Sequence, residues 1–198
     1  MPEFLIGNTM SKVIKLPFFK RSDSNEMTIN TISVKQFREL PHIHAEDLSA
    51  KQSFQQRKAL IQVCTDITEA EFNTLSAPDF NTLATEAQTF VLTPSDDLKG
   101  KPLEVKDWTF ELLFPFTNEL SEDIKTIRFT VPNVASSELL AEITDQQERE
   151  DYMFKVVCGL EKQDLSLLSI NDYLTLKPRV GDFFLQSGDF FNPMTFSA

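Results

Sequence analysis

Three pairs of residues in this chain have the type and spacing that chemistry requires: His42 with His44, Cys64 with Cys158, and Asp79 with Asp172. In a strand, the two rings of His42-x-His44 point to one face and would hold a metal ion such as zinc. Pro41 precedes them and no third ligand stands at an obvious spacing, so two loop histidines are the plainer reading. Cys64 and Cys158 would make a redox pair, but each lies inside an apolar helical stripe, where a free thiol behaves as a small hydrophobe. Asp79 and Asp172 are the one pair of carboxylates at matching places in two similar segments, and each follows a serine by three residues. That spacing suits a helix N-terminus, where an acid complements the dipole. No catalytic, cofactor-binding or metal-ligating residue is therefore assigned.

Patterns that would carry other chemistry are missing. The chain has no G-x-S-x-G, Walker A, G-x-G-x-x-G or H-E-x-x-H motif. Five glycines in 198 residues leave little material for phosphate-cradling loops. A formal net charge of −11 repels nucleic-acid backbones and anionic membranes alike. No apolar run approaches the roughly 20 residues needed to span a bilayer. The first residues lack a signal-peptide pattern, and reduced thiols suit the cytosol.

The elements that must position these pairs repeat along the chain. Leu16-Pro17-Phe18 and Phe114-Pro115-Phe116 each lead through a polar stretch into a β-branched run, Ile29 to Val34 and Ile127 to Val131. Val63-Cys64 matches Val157-Cys158. The clearest block is ungapped: Phe72, Leu75, Ser76, Asp79, Phe80 and Leu83 match Leu165, Leu168, Ser169, Asp172, Tyr173 and Leu176, and Phe90-Val91 match Phe183-Phe184. Between the copies, residues 92–107 have the Pro, Gly and charge content of a linker.

The fold expected is α+β: a tandem repeat of two similar units, each a β-hairpin followed by two or three helices, related by a pseudo-twofold. The units are placed at 10–92 and 108–185, with a linker at 93–107 and an aromatic tail at 186–198. Leu60, Val63, Cys64 and Ile67, and likewise Met153, Val156, Val157 and Leu160, have the i, i+3, i+4, i+7 spacing of an inward helical stripe. Thr68 with Glu71, and Thr144 with Gln147, have the spacing of capping boxes. Ser76 and Ser169 are read as N-caps of the closing helices, and Pro178 is expected to bend or shorten the second. In the tail, Phe190, Phe191, Met194 and Phe196 either fold back on their own core or meet a protein partner.

The closing blocks, Leu75-Ser76-Ala77-Pro78-Asp79-Phe80-Asn81-Thr82-Leu83 and Leu168-Ser169-Ile170-Asn171-Asp172-Tyr173-Leu174-Thr175-Leu176, resemble the L-s-x-x-D-[FY]-x-x-L pattern of small phage tail assembly chaperones. The first copy, with Val34-Lys35 ahead of a helix ending at Cys64, is also similar to baseplate hub assembly proteins of contractile-tailed phages. The resemblance implies a non-enzymatic helper in the host cytoplasm that binds the tape measure or a hub protein while the tail is built. It would act as a monomer or weak homo-oligomer, without cofactor, nucleic acid or membrane. Its family members are usually single units, so the duplication is a departure. The alternatives are a structural subunit retained in the virion's baseplate hub, a generic cytosolic adaptor, and an enzyme of unknown type.

Overall fold

A computed structural model describes residues 10–21 and 24–191. Among them the chain is α+β, with two antiparallel hairpins and ten helices. It divides into two compact units: unit 1 runs to Thr93 and includes Ser169–Asn171, and unit 2 comprises Pro94–Leu168 and the chain from Asp172 onward.

Unit 1 begins with a hairpin of β1 (Lys12–Lys15) and β2 (Glu26–Ile29), in which Ile14 lies opposite Met27. Met27 and Ile29 are buried and Glu26 and Thr28 exposed, the period-two signature of a half-buried strand. Both strands are shorter than the apolar runs suggest. Pro17 has no N–H to continue a ladder, and Val34 begins a helix instead of ending a strand. The reason is a reciprocal capping box: the Gln36 amide donates to Ser33 Oγ and the Ser33 amide to Gln36 Oε1. This starts α1 (Val34–Arg38).

Three helices follow: α2 (Ala50–Cys64), α3 (Glu69–Phe72) and α4 (Ala77–Leu92). The Thr68–Glu71 box caps α3 as its spacing predicts, and Ser76 Oγ accepts from the Asp79 amide at 3.2 Å to open α4. The α2 stripe differs from expectation. Leu60, Ile61 and Cys64 face inward while Val63 is largely exposed, and Ile67, though buried, lies beyond the helix, which ends at Cys64. The amide of Asn30 donates to the Cys64 carbonyl at 2.8 Å, which fastens the hairpin to the end of α2. Asn171 Nδ2 donates to the carbonyls of Phe90 and Thr93 at 2.7 and 2.8 Å, satisfying the C-terminus of α4.

Unit 2 begins with α5 (Ser95–Lys99), a short helix inside the stretch of linker composition. Its hairpin pairs β3 (Thr109–Thr117) with β4 (Asp123–Arg128), Phe110 lying opposite Ile127, and the register shifts between Glu111 and Phe116. Then come α6 (Val134–Glu142), α7 (Gln146–Cys158), α8 (Lys162–Leu167), α9 (Ile170–Leu185) and α10 (Gly188–Phe191). The N-cap of α7 is Asp145 and not Thr144, because the carboxylate accepts from the Glu148 amide at 2.8 Å and a charged acceptor suits the dipole better than a hydroxyl. Phe154, Val157 and Cys158 form the buried stripe, Met153 and Val156 are only half-buried, and Gly159, at φ 68°, ends the helix before Leu160. The Thr130 amide donates to the Val157 carbonyl at 2.8 Å, again fastening hairpin to helix. Pro178 does not shorten α9, which spans 16 residues like α4.

Candidate protein-binding surface

The two aspartates that sequence reading assigned to helix capping do more than cap. Both are fully buried. Within unit 1, Asp79 Oδ2 accepts from the backbone amide of Phe18 at 3.1 Å. Within unit 2, Asp172 accepts from the amides of Leu113 and Phe114 at 2.9 and 3.0 Å, one on each oxygen. The register shift of β3 places Leu113 and Phe114 between its ladder pairs, where their amides are available to the carboxylate. Asp172 thus holds β3 to the closing helix, and Asp79 holds the bend just beyond β1 to its own. This is a structural duty, and only the residue type and its burial on a helix hinted at it.

The thiols are likewise structural. Cys64 Sγ donates to the Leu60 carbonyl at 2.6 Å, and burial pushes both thiols up to about 12. An un-ionised thiol is a poor nucleophile and a poor metal ligand. His42 and His44 lie in the loop before α2; His42 adopts φ 59° and its Nε2 stands 3.1 Å from Gln55 Oε1. Among the described residues no group of three His, Cys, Asp or Glu side chains is arranged to hold a metal. One titratable cluster went unnoticed in the sequence: Tyr173 Oη donates to Glu150 at 2.5 Å, and Lys177 Nζ donates to Glu150 at 2.7 Å and to Tyr173 at 3.0 Å. Burial and the Glu150 carboxylate raise the Tyr173 pKa, the opposite of what activates a phenol as a base.

The C-terminal aromatics sit differently. Phe190 and Phe191 belong to α10 and are half-buried; Met194 and Phe196 lie outside the described residues. Phe191 stacks on Phe183, with centroids 4.8 Å apart and planes at 13°, and meets Phe190 edge-on at 5.1 Å. Trp108 and Phe129 approach Phe183 at 5.8 and 5.9 Å. Beneath them the Arg179 guanidinium lies 4.9, 5.2 and 5.6 Å from the rings of Phe183, Phe191 and Phe129. Its Nη2 donates to the carbonyls of Val105 and Asp107, while Nε and Nη1 have no partner. Burial lowers its pKa, against the pull of Asp182 and Asp107.

Above this platform an open cavity of about 450 Å³ is lined by Trp108, Val131, Gly188 and Phe191. Trp108 is 43% exposed and Val131 61%. A concave, aromatic-walled surface backed by a buried cation has the make-up of a protein-docking site more than of a catalytic one. Composition of the tail points to Phe191, but no local pattern in the sequence points to Trp108, Val131 or Arg179. A lone tryptophan opening a strand is the one compositional signal available. Among the described residues no helix is long and apolar enough to cross a membrane. Comparison of the chain with protein-family models, with curated proteins and with solved structures returned no match.

Proposed function

We propose that the protein is a phage tail or baseplate assembly chaperone that grips a protein client, the tape measure or a hub component, in the host cytoplasm. The observation that carries this reading is the aromatic-walled cavity of unit 2 at Trp108, Val131, Gly188 and Phe191. A cavity of about 450 Å³ accepts one or two apolar side chains of a client segment. The closing-block resemblance supplies the identity of the client, and the strong negative charge keeps a helper with exposed apolar surface soluble.

The two units are similar in element order. Both units run from a hairpin to a helix ending in a buried cysteine, then a short helix, then a 16-residue helix with a buried aspartate in its first turn. We read these as two copies of one module, fused and then diverged.

Co-expression tests the function. With the tape measure or hub protein of the same phage, the full chain should co-elute in gel filtration and keep the client soluble. Val131→Asp, which places a charge in the cavity wall, should abolish co-elution while leaving circular dichroism unchanged. A client equally soluble without the chain would overturn the reading. Stoichiometric recovery of the chain from purified virions would replace it with that of a hub subunit.

A further inference from the structure

We infer that the outer face of α6 is a docking surface for a basic amphipathic helix, distinct from the aromatic cavity. Leu140 is the one buried residue of this nine-residue helix. Val134 and Leu139 are both largely exposed. At 100° per residue, Glu138 and Glu142 form a stripe opposite Leu140, with Val134 on one flank and Ala135 and Leu139 on the other. Apolar residues bordering a charged stripe form one continuous surface.

The charge on this face is unbalanced. No lysine or arginine occurs between Arg128 and Arg149, whereas Glu138, Glu142, Asp145 and Glu148 all do. Among the described residues Arg149 is the one cation held against this helix, and it is fixed at the C-terminal end, where its Nη1 donates to the carbonyls of Leu140 and Ile143 at 2.6 and 3.0 Å. Glu138 and Glu142 stand at i, i+4, where like charges destabilise a helix. The chain therefore keeps a helix with one buried side chain, two exposed large apolar residues and a repulsive acidic pair. A partner helix with lysine or arginine at i, i+3 or i+4 between leucine-like residues relieves all three: it covers Val134 and Leu139 and neutralises the stripe. The inference rests on the client-binding reading only in taking a protein as ligand.

The test is fluorescence anisotropy with the full chain. One labelled probe is a peptide of about 14 residues with leucine at helical i, i+3, i+4, i+7 spacing and lysine elsewhere; the other is the same peptide with glutamate for lysine. The lysine peptide should bind, more weakly as salt rises, and the glutamate peptide should not. Glu138→Lys with Glu142→Lys should weaken binding at least about fivefold, and Leu139→Ser should weaken it with no change of charge. Glu46→Lys with Asp47→Lys, an equal charge change on an exposed loop of unit 1, should leave it intact. Equal losses from both double variants would mean attraction to net charge alone and would overturn the assignment. So would binding of the glutamate peptide, or no response to Leu139→Ser. Loss of peptide binding with client co-elution intact would remove α6 and leave the chaperone reading standing; the reverse outcome would do the opposite.

Discussion

In each unit a buried aspartate reaches back from a closing helix to the first hairpin arm, yet Asp172 receives two backbone amides of β3 and Asp79 only one, from the bend after β1, leaving Asp79 Oδ1 without a partner. The ladders explain the difference. Ile14 faces Met27 in unit 1 and Phe110 faces Ile127 in unit 2. Counting three and four residues on from Ile14 and Phe110 sets Pro17-Phe18 against Leu113-Phe114. Phe18 and Phe114 both donate, but where Leu113 supplies a second N–H, unit 1 has a proline, which has none. The Pro17 and Pro115 that look alike in sequence thus stand two places apart in hairpin geometry. Phe18 is 68% exposed, while Phe114 is 4% exposed. One imino acid leaves a buried oxygen unmatched, and a buried polar atom without a partner is a standing cost.

The comparison breaks most readily at the carboxylates themselves. Asp172→Asn leaves one carbonyl oxygen for two amides and turns an NH₂ donor toward an N–H donor, so it should cost about 2–3 kcal/mol. Asp79→Asn can keep its oxygen on Phe18 and turn its NH₂ toward the empty side, so it should cost about 1 kcal/mol or less. Urea denaturation of the two variants measures both, and equal costs would show that the orphaned oxygen has no energetic meaning.

Pro17→Ala sharpens the point. It offers Asp79 the missing N–H but frees the unfolded chain, which costs about 0.4–1 kcal/mol. Its own effect on stability should therefore be small. Coupling is the better readout: in the Pro17→Ala background, Asp79→Asn should become more damaging by about 1 kcal/mol, because both oxygens are then in use. A double-mutant cycle that closes to zero would mean that residue 17 does not face the carboxylate.

The second contrast lies just after the hairpins. Val34, the first residue of α1, is 1% exposed; Val134, the first residue of α6, is 75% exposed. Composition does not reveal this, since both are valines following a capping Ser33 or Asn133. Covering is tertiary. In unit 1 the Ile32 carbonyl accepts from the Ile170 amide at 2.9 Å and Ser33 bridges to Ser169, so residues 169–171 pair with the segment leading into α1.

What sequence made legible follows the same line. Hairpins, the Thr68–Glu71 cap and the Ser76 cap of α4 are local and readable from period, turn and cap residues. The exact inward stripe of α2 and α7 was not, because Leu60-Ile61-Cys64 and Leu60-Val63-Cys64 fit one helix equally well and packing chooses. The duty of Asp79 and Asp172 was hidden for another reason: their donors lie 61 and about 58 residues away, beyond any local pattern. In the candidate surface, composition marks Phe190 and Phe191, whereas only the fold brings Trp108 and Arg179 beside them.

The weakest expected difference between the units is electrostatic and pH-dependent. In unit 1, Arg21 forks onto Glu71, with Nε to Oε1 at 2.7 Å and Nη2 to Oε2 at 2.8 Å, and its Nη1 reaches Asp66 at 2.7 Å. The guanidinium, together with the Thr68 amide and hydroxyl, lowers Glu71 to about 2. A carboxylate whose pKa falls on folding adds stability that is complete above its unfolded value of about 4.3 and is lost as pH falls toward 2. Because the fork stands partly in solvent, its contribution is modest. Glu71→Gln should therefore be slightly less stable than the parent at pH 7, and the two melting temperatures should converge as pH falls from about 4 to 2. A gap that persists unchanged at pH 2 would place the Glu71 contribution in its capping geometry and not in its charge.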